Sequence, residues 1–219
     1  MNYLALAIAY FLGAIPTGYW VGRTQGIDLR EHGSGSTGAT NVWRCLGRKF
    51  GIFVFTVDLA KGVAAILLTS TLLPSDPYTD PSQAWWMIGA GFAALIGHSR
   101  SCWIGFKGGK SVATGLGILL ALNWQVAVCA LAIWGMTMAI WRTVSISSMV
   151  AAVSTPLLTW LWRSPQAYLI LTFLGAIFIL WTHRSNLQRL LSGQELTFKT
   201  DINQTTQTED SDPNQVKIS

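Results

Sequence analysis

Long apolar runs separated by short polar stretches make up most of the chain as far as residue 182. Each run is continuous rather than alternating, which predicts membrane helices and not barrel strands. The third and fourth runs are short for a hydrocarbon core about 30 Å thick, so they are expected to tilt, to lie inside the bundle or to be partly re-entrant. Five spans with re-entrant loops are the main alternative to seven. The seven predicted helices are 3–21, 50–73, 84–97, 112–122, 125–141, 146–162 and 167–182.

The composition supports an all-α polytopic membrane protein. The chain is 51% hydrophobic and only 11% charged, whereas a soluble domain carries about 25% charged residues. The first basic residue is Arg23, so the first apolar run is expected to be a retained span and not a cleaved signal peptide. The cysteines at 45, 102 and 129 lack metal-binding spacing, and we predict no structural disulfide, no metal site and no cofactor.

The basic residues predict the orientation. With seven spans, all of them except Lys61 and Arg163 fall on one side of the membrane. The positive-inside rule makes that side the cytoplasm, with the N-terminus outside and the C-terminus inside. The rule also accounts for the net charge of +5 without a nucleic-acid partner. Beyond the membrane domain, predicted to be 1–196, the polar stretch 197–219 is expected to be a disordered cytoplasmic tail.

The first cytoplasmic loop, 33–41, has the composition of an anion site. It reads Gly-Ser-Gly-Ser-Thr-Gly-Ala-Thr-Asn, and Arg44 follows three residues later. Glycines let backbone amides approach a ligand, hydroxyls add donors, and a guanidinium can bind a phosphate through two hydrogen bonds. A flexible connector is the alternative. The candidate ligand-binding residues in and after this loop are Ser34, Gly35, Ser36, Gly38, Thr40, Asn41 and Arg44.

The second loop, 105–111, reads Gly-Phe-Lys-Gly-Gly-Lys-Ser but is not a nucleotide P-loop, because Ile104 stands where the first glycine of that motif is required. It predicts a phosphate site formed by the amides of Gly108 and Gly109 with Lys107 and Lys110, at the start of an apolar helix. In the alternative, the lysines only anchor the topology.

A third group of polar residues follows later in the chain. The segment 142–148 supplies hydroxyls, including that of Ser145. His183 and Asn186 are three residues apart and share a helical face if the helix continues. Asp58 and Lys61, three residues apart within the second predicted helix, are expected to form an internal ion pair that fixes helix packing. Direct contact with a substrate is the alternative.

Together these motifs resemble those of the PlsY-type bacterial acyl-phosphate:glycerol-3-phosphate acyltransferases. In the family the first loop usually reads Ser-Gly-Asn, and Ser36 here replaces that Asn. Matched motif by motif, the resemblance implies a site core of Ser34, Arg44, Lys107, His183 and Asn186, with Ser145 a weaker match. The stretches that carry it are, in order, 15–18, 33–44, 58–62, 97–98, 105–114 and 183–195.

The resemblance implies a seven-helix enzyme of the bacterial inner membrane with its site facing the cytoplasm. It would move a fatty acyl group from acyl phosphate to the 1-hydroxyl of glycerol 3-phosphate, leaving phosphate and lysophosphatidic acid in the lipid. His183 would orient a substrate or take the hydroxyl proton, or a substrate phosphate would act as the base. The alternative functions are a transporter of phosphate or an organic phosphate, which needs a midplane site, and a purely structural membrane subunit.

Overall fold

The computed structural model describes residues 2–73 and 79–195, and every regular element within those ranges is helical. The predicted tail, 197–219, lies outside the described residues. A short 3₁₀ helix, Cys102–Ile104, precedes the second loop. The ten α-helices are α1 (Asn2–Ala14), α2 (Thr17–Thr24), α3 (Ala39–Leu46), α4 (Arg48–Leu72), α5 (Pro81–Ser99), α6 (Val112–Leu122), α7 (Trp124–Trp141), α8 (Val144–Leu161), α9 (Gln166–Thr182) and α10 (Arg184–Leu191).

The apolar pattern predicted the long helices closely but missed a break in the first one. The expected helix 3–21 is divided into α1 and α2, because Pro16 has no backbone N–H and cannot continue a helix. α5 begins earlier than predicted, since the Asp80 side chain accepts a hydrogen bond from the Ser82 amide at 2.9 Å and caps the helix. The short polar helices α3 and α10 were not predicted.

Within the described ranges, four helical segments are long and apolar enough to cross a membrane: 2–24, 48–72, 124–141 and 144–161. A fifth is reached if α9 and α10, bent by 56°, are counted as one span. The prediction of a helical multi-pass membrane protein therefore agrees with the fold.

Small side chains let the helices pack closely. α1 packs on α5, α4 packs on α6, and α7 to α9 pack in sequence. Buried alanines dominate the main core, as expected where helices associate in lipid and backbones must approach each other. At Gly62 of α4, a Cβ atom would lie only 2.2 Å from the Thr114 carbonyl oxygen of α6. Any larger residue there would push α4 and α6 apart.

The expected intramembrane ion pair is confirmed. Lys61 Nζ lies 2.9 Å from Asp58 Oδ1, and both side chains are almost fully buried. The same ammonium donates a hydrogen bond to the Ile15 carbonyl at 3.0 Å. The break between α1 and α2 therefore receives a charged donor from α4.

Candidate active site

A cavity of about 730 Å³ opens at one end of the bundle and collects most of the residues predicted from the sequence. The first loop, the start of α6, the start of α8 and the α9–α10 junction all contribute to its wall. The predicted residues that line it are Ser34, Ser36, Gly38, Thr40, Asn41, Arg44, Lys110, Ser145, His183 and Asn186.

Five helices begin at the wall of this cavity. The first turns or N-caps of α3, α4, α6, α8 and α10 all supply lining residues. Amide N–H groups in a first turn have no partner within the helix, and the helix dipole gives that end a partial positive charge. Several helix N-termini around one cavity therefore favour an anionic ligand.

Asn41 organises the first loop from within. Its side-chain nitrogen lies within hydrogen-bonding distance of the carbonyls of Leu29, His32 and Ser36, at 3.2, 3.0 and 2.8 Å. Its side-chain oxygen accepts the Ser34 amide at 2.8 Å. Asn41 is only 1% exposed, so its amide is used to shape the loop. These hydrogen bonds position the first loop, and direct contact between Asn41 and a ligand stays a prediction.

Lys110 enters the cavity and joins a polar network that spans three regions of the chain. Its Nζ donates to the side-chain oxygen of Asn186. The Asn186 nitrogen donates to Glu195 Oε1 at 2.6 Å, and the Ser145 hydroxyl donates to the same oxygen at 2.7 Å. Arg189 Nε donates to the other oxygen of Glu195 at 2.9 Å. The Glu195 carboxylate therefore accepts hydrogen bonds from the same kinds of donor that would bind a phosphate.

The Lys110 ammonium has an unusual electrostatic environment. Burial first, and then the charges of Arg189 and Arg44 against the opposing effect of Glu195, together lower the pKa of Lys110 to about 8. Lys110 is therefore expected to lose its charge within the pH range over which enzyme activity can be measured. A bound phosphate would favour the charged form.

Glu195 is held ionised in the same network. Burial alone would raise the pKa of Glu195, but hydrogen bonds from Asn186 and Ser145 and the charge of Arg189 lower it on balance. The cavity thus contains one fixed anion among several donors.

His183 lies at the bend between α9 and α10 and is 3% exposed. Its Nδ1 is 2.8 Å from the Ile179 carbonyl oxygen, which can only accept, so Nδ1 carries the ring proton. Burial, followed by the charge of Lys110, lowers the pKa of His183 to about 4. The ring is therefore neutral near pH 7, with Nε2 as a hydrogen-bond acceptor and a weak base. His183 caps α10 and Asn186 lies within it, so the helix bends at the histidine and does not continue straight.

The second loop corrects part of the expectation from sequence. The Gly109 amide donates to the His98 carbonyl at 3.1 Å, so this amide is not available to hold a phosphate. A Cβ atom on Gly109 would lie 2.0 Å from His98 Nε2. Gly109 is needed because the loop packs directly on the histidine ring.

The remaining predicted residues lie outside the cavity wall. Gly108 packs against the His98 carbonyl. Lys107 is exposed, and neither it nor Gly35 is among the residues that form the wall. Gly35 turns the first loop, with its amide bound to the His32 carbonyl at 3.0 Å.

A second cavity of about 180 Å³ adjoins the first and is mainly apolar. It lies among α4 to α9, and its walls share Phe55, Val112, Ala113 and Trp134 with the polar cavity. An amphipathic ligand could therefore place an anionic group among the helix N-termini and an alkyl chain between the helices.

Sequence reasoning missed Glu195 and Ser111 as members of the site. Glu195 lies in the last of the stretches that carried the resemblance, but its contact with Ser145 joins residues 50 positions apart. The Ser111 hydroxyl donates to the Leu95 carbonyl at 2.7 Å and anchors the start of α6 to α5. No local spacing signals either contact.

The chain is similar to several known proteins. The family model described as "Glycerol-3-phosphate acyltransferase" matches residues 3–193. A glycerol-3-phosphate acyltransferase of Synechococcus sp. (strain JA-3-3Ab) is 51% identical over 193 residues, which cover 88% of this chain and 91% of that protein. The corresponding protein of Gloeobacter violaceus is 47% identical over 200 residues, covering 89% and 96%.

Solved structures show the same likeness. The crystal structure of PlsY, an integral membrane glycerol 3-phosphate acyltransferase, in its glycerol 3-phosphate form has a TM-score of 0.83 and 34% identity, over 90% of this chain and 95% of that one. Its lysophosphatidic acid form has a TM-score of 0.80 and 33% identity over the same shares. These matches favour the enzyme over the transporter and the structural subunit. The chain therefore belongs to the family of integral membrane glycerol-3-phosphate acyltransferases.

Proposed function

We propose that the protein transfers a fatty acyl group from acyl phosphate to the 1-hydroxyl of sn-glycerol 3-phosphate. The products are 1-acyl-glycerol 3-phosphate and inorganic phosphate. The observation that carries this proposal is the junction of the two cavities: a polar one surrounded by helix N-termini, and an apolar one between the helices. Both substrates carry a phosphate, and only the donor and the product carry a long chain, so the junction suits all of them.

The phosphates bind in the polar cavity through Arg44 and Lys110, with the hydroxyls and backbone of the first loop around them. Ser34, Ser36, Gly38 and Thr40 supply that part of the wall. Ser145 and Asn186, which donate hydrogen bonds to Glu195, turn towards substrate oxygens when a phosphate enters. Lys107 has a smaller role, since its side chain is exposed.

The acceptor hydroxyl oxygen attacks the carbonyl carbon of the acyl phosphate. The new carbon–oxygen ester bond forms, the carbon–oxygen bond to phosphate breaks, and phosphate departs with that electron pair. Acyl phosphate is already activated, so catalysis comes from holding the reactants together and stabilising the negative charge on the carbonyl oxygen. No covalent acyl-enzyme is needed.

A substrate phosphate accepts the hydroxyl proton. The pKa of His183 is about 4, whereas a phosphate monoester takes up its proton with a pKa of about 6. The phosphate is therefore the stronger base of the two. His183 instead accepts a hydrogen bond through Nε2 from the neighbouring 2-hydroxyl of glycerol 3-phosphate, which turns the 1-hydroxyl oxygen towards the carbonyl.

We place the site at the cytoplasmic surface of the bacterial inner membrane, with seven spans, the N-terminus outside and the C-terminus inside. The distribution of basic residues supports this orientation. α5, α6 and α9 would complete the bundle as shorter or tilted crossings. The catalytic domain covers residues 1–196, followed by a polar cytoplasmic tail.

The experiment that tests this function supplies the purified protein, in lipid nanodiscs, with labelled glycerol 3-phosphate and one acyl donor at a time. Acyl phosphate should yield labelled lysophosphatidic acid and one phosphate for each acyl group transferred. Acyl-CoA and acyl carrier protein thioesters should yield none. An Arg163→Gln variant, changed at the loop between α8 and α9, serves as the active control. Equal use of a thioester, or transport of glycerol 3-phosphate without acylation, would overturn the proposal.

A further inference from the structure

Three ionisable side chains form a buried cluster beside the active-site cavity. Asp58 and Lys61 of α4 and His98 of α5 are 2%, 5% and 8% exposed. Asp58 pairs with Lys61 at 2.9 Å, and His98 Nδ1 lies 3.7 Å from the same Asp58 oxygen, beyond hydrogen-bonding distance. Of the three, His98 lines the active-site cavity. The acyl transfer described above uses none of them, although burying such charges is costly.

The cluster reaches the first loop through the break between α1 and α2. Lys61 donates to the Ile15 carbonyl at 3.0 Å, immediately before Pro16. α2 begins two residues later, and a Cβ atom on Gly18 would lie 1.9 Å from the Thr37 carbonyl oxygen. The start of α2 is therefore in direct backbone contact with the first loop, and Lys61 fixes the position of that start.

The cluster reaches the second loop through His98. Its ring packs on Gly109, and its carbonyl accepts the Gly109 amide at 3.1 Å. Lys110, the next residue, extends into the active-site cavity. A movement of the His98 ring would therefore be transmitted directly to the backbone that carries Lys110.

A small polar cavity of about 10 Å³ lies where these contacts meet. Its wall includes Thr37 of the first loop, Gly108 of the second loop, Thr17, and the three ionisable residues of the cluster. Thr17 Oγ1 and His98 Nδ1 are buried and have no hydrogen-bond partner among the described residues. The cavity has about the volume that one water molecule needs.

We propose that Asp58, Lys61 and His98 are positioning residues for acyl transfer, which hold the two anion-binding loops at a fixed separation with one water molecule between Thr17 and His98. This inference rests on the proposed function only in naming the reaction. The competing role is helix packing alone. If the cluster only packs helices, its loss should destabilise the whole bundle to a similar extent. If it positions the loops, its loss should affect the two loops most.

The test removes both charges together, because a single substitution would strand the other charge in the bundle. The variant is Asp58→Asn with Lys61→Met. The matched control is Thr69→Val, in the same helix, where the hydroxyl of a residue 1% exposed donates to the Ala65 carbonyl of that helix. Full-length proteins in nanodiscs are compared by steady-state kinetics and by hydrogen–deuterium exchange.

In the double variant, kcat/KM should fall by about tenfold or more, since small misplacements of binding groups have effects of this size. Hydrogen–deuterium exchange should become roughly fivefold faster or more at the backbone amides of the two loops, 33–41 and 105–111. The amides of α7 to α9 should exchange as slowly as in the wild type. Thr69→Val should match the wild type in both measurements.

Unchanged exchange in the two loops, or equal acceleration throughout the bundle, would overturn the positioning role. If the double variant does not fold, the same measurement on His98→Asn decides the question. There, faster exchange at 105–111 supports the proposal and uniform or unchanged exchange refutes it. A wild-type protein without acyltransferase activity would refute the proposed function alone, since the exchange pattern does not depend on chemistry.

Discussion

The two glycine-rich loops are held in different ways. In the first loop, Asn41 bonds backbone groups 5 to 12 residues away, so the loop is shaped by its own neighbourhood. In the second loop, the Lys110 carbonyl accepts the Thr182 hydroxyl and its ammonium bonds Asn186, 72 and 76 residues away. The first loop is a local structure, and the second depends on the assembled bundle.

This difference matters for catalysis because both loops serve one cavity. The first loop can keep its internal shape when helices shift, although its position depends on its backbone contact with the start of α2. A loop held by distant contacts loses both its shape and its position. Substitutions in the second loop and its supports should therefore have the larger effects.

The two lysines of the second loop give the largest predicted contrast. Lys110→Ala should lower kcat/KM by roughly 100- to 1,000-fold, because a buried phosphate loses its charged partner. Lys107→Ala should change it by less than about fivefold, as exposed charges contribute little. Kinetics with labelled glycerol 3-phosphate measures both. Equal losses would show that Lys107 enters the cavity when substrate binds, as the sequence motif predicted.

Gly109 provides the next contrast. Gly109→Ala places a methyl group against the His98 ring, so the loop or the ring must move, and kcat/KM should fall by roughly 30- to 100-fold. The control is Gly135→Ala in α7, where a Cβ atom would meet no other atom within 4 Å. It should be as active as the wild type and no less stable. Wild-type activity in Gly109→Ala would show that the second loop tolerates displacement.

The difference between local and long-range contacts also explains which features could be predicted from the sequence. The limits of the apolar runs predicted α6 at its observed bounds, 112–122, and α4, α7, α8 and α9 to within two residues. The composition of the first loop and the offset to Arg44 predicted an anion site, and most of the residues named for it line the cavity. Pro16 is a helix-breaking residue, but it lies within a continuous apolar run, and the run was predicted as one helix.

The contacts that assemble the site could not be predicted. Nothing in the spacing of Ser145 and Glu195 indicates that the two are 2.7 Å apart. From the sequence, the second-loop glycines were expected to bind phosphate, whereas the Gly109 amide donates a hydrogen bond to the His98 carbonyl near the end of α5. Glycine can be required for a ligand or for a close backbone contact, and composition alone does not distinguish these uses.

Asn41 tests whether the first loop is as self-contained as its contacts indicate. Asn41→Ala leaves buried carbonyls and an amide without partners, so the free energy of unfolding should fall by about 2 kcal/mol. We expect kcat/KM to fall by about tenfold because the loop loses its shape. Thermal unfolding and kinetics measure the two effects.

The matched control is Asn123→Ala, which removes a helix cap at the start of α7. It should cost about 1 kcal/mol of stability and leave kcat/KM unchanged. An Asn41→Ala protein that loses stability but keeps full activity would mean that the first loop does not position the substrate.

The smallest predicted effect, a pH dependence, isolates the charge of the second loop. The pKa of Lys110 is about 8, so its ammonium is charged below that pH and loses its proton above it. If only the charged form binds phosphate, kcat/KM should fall about twofold between pH 7 and pH 8 and about tenfold by pH 9. Lys110→Arg keeps the charge over this range, so its profile should be flat. His183, with a pKa of about 4, should add no inflection between pH 5 and pH 7. A wild-type profile that stays level to pH 9 would show that substrate binding in this loop depends on hydrogen bonds and not on the lysine charge.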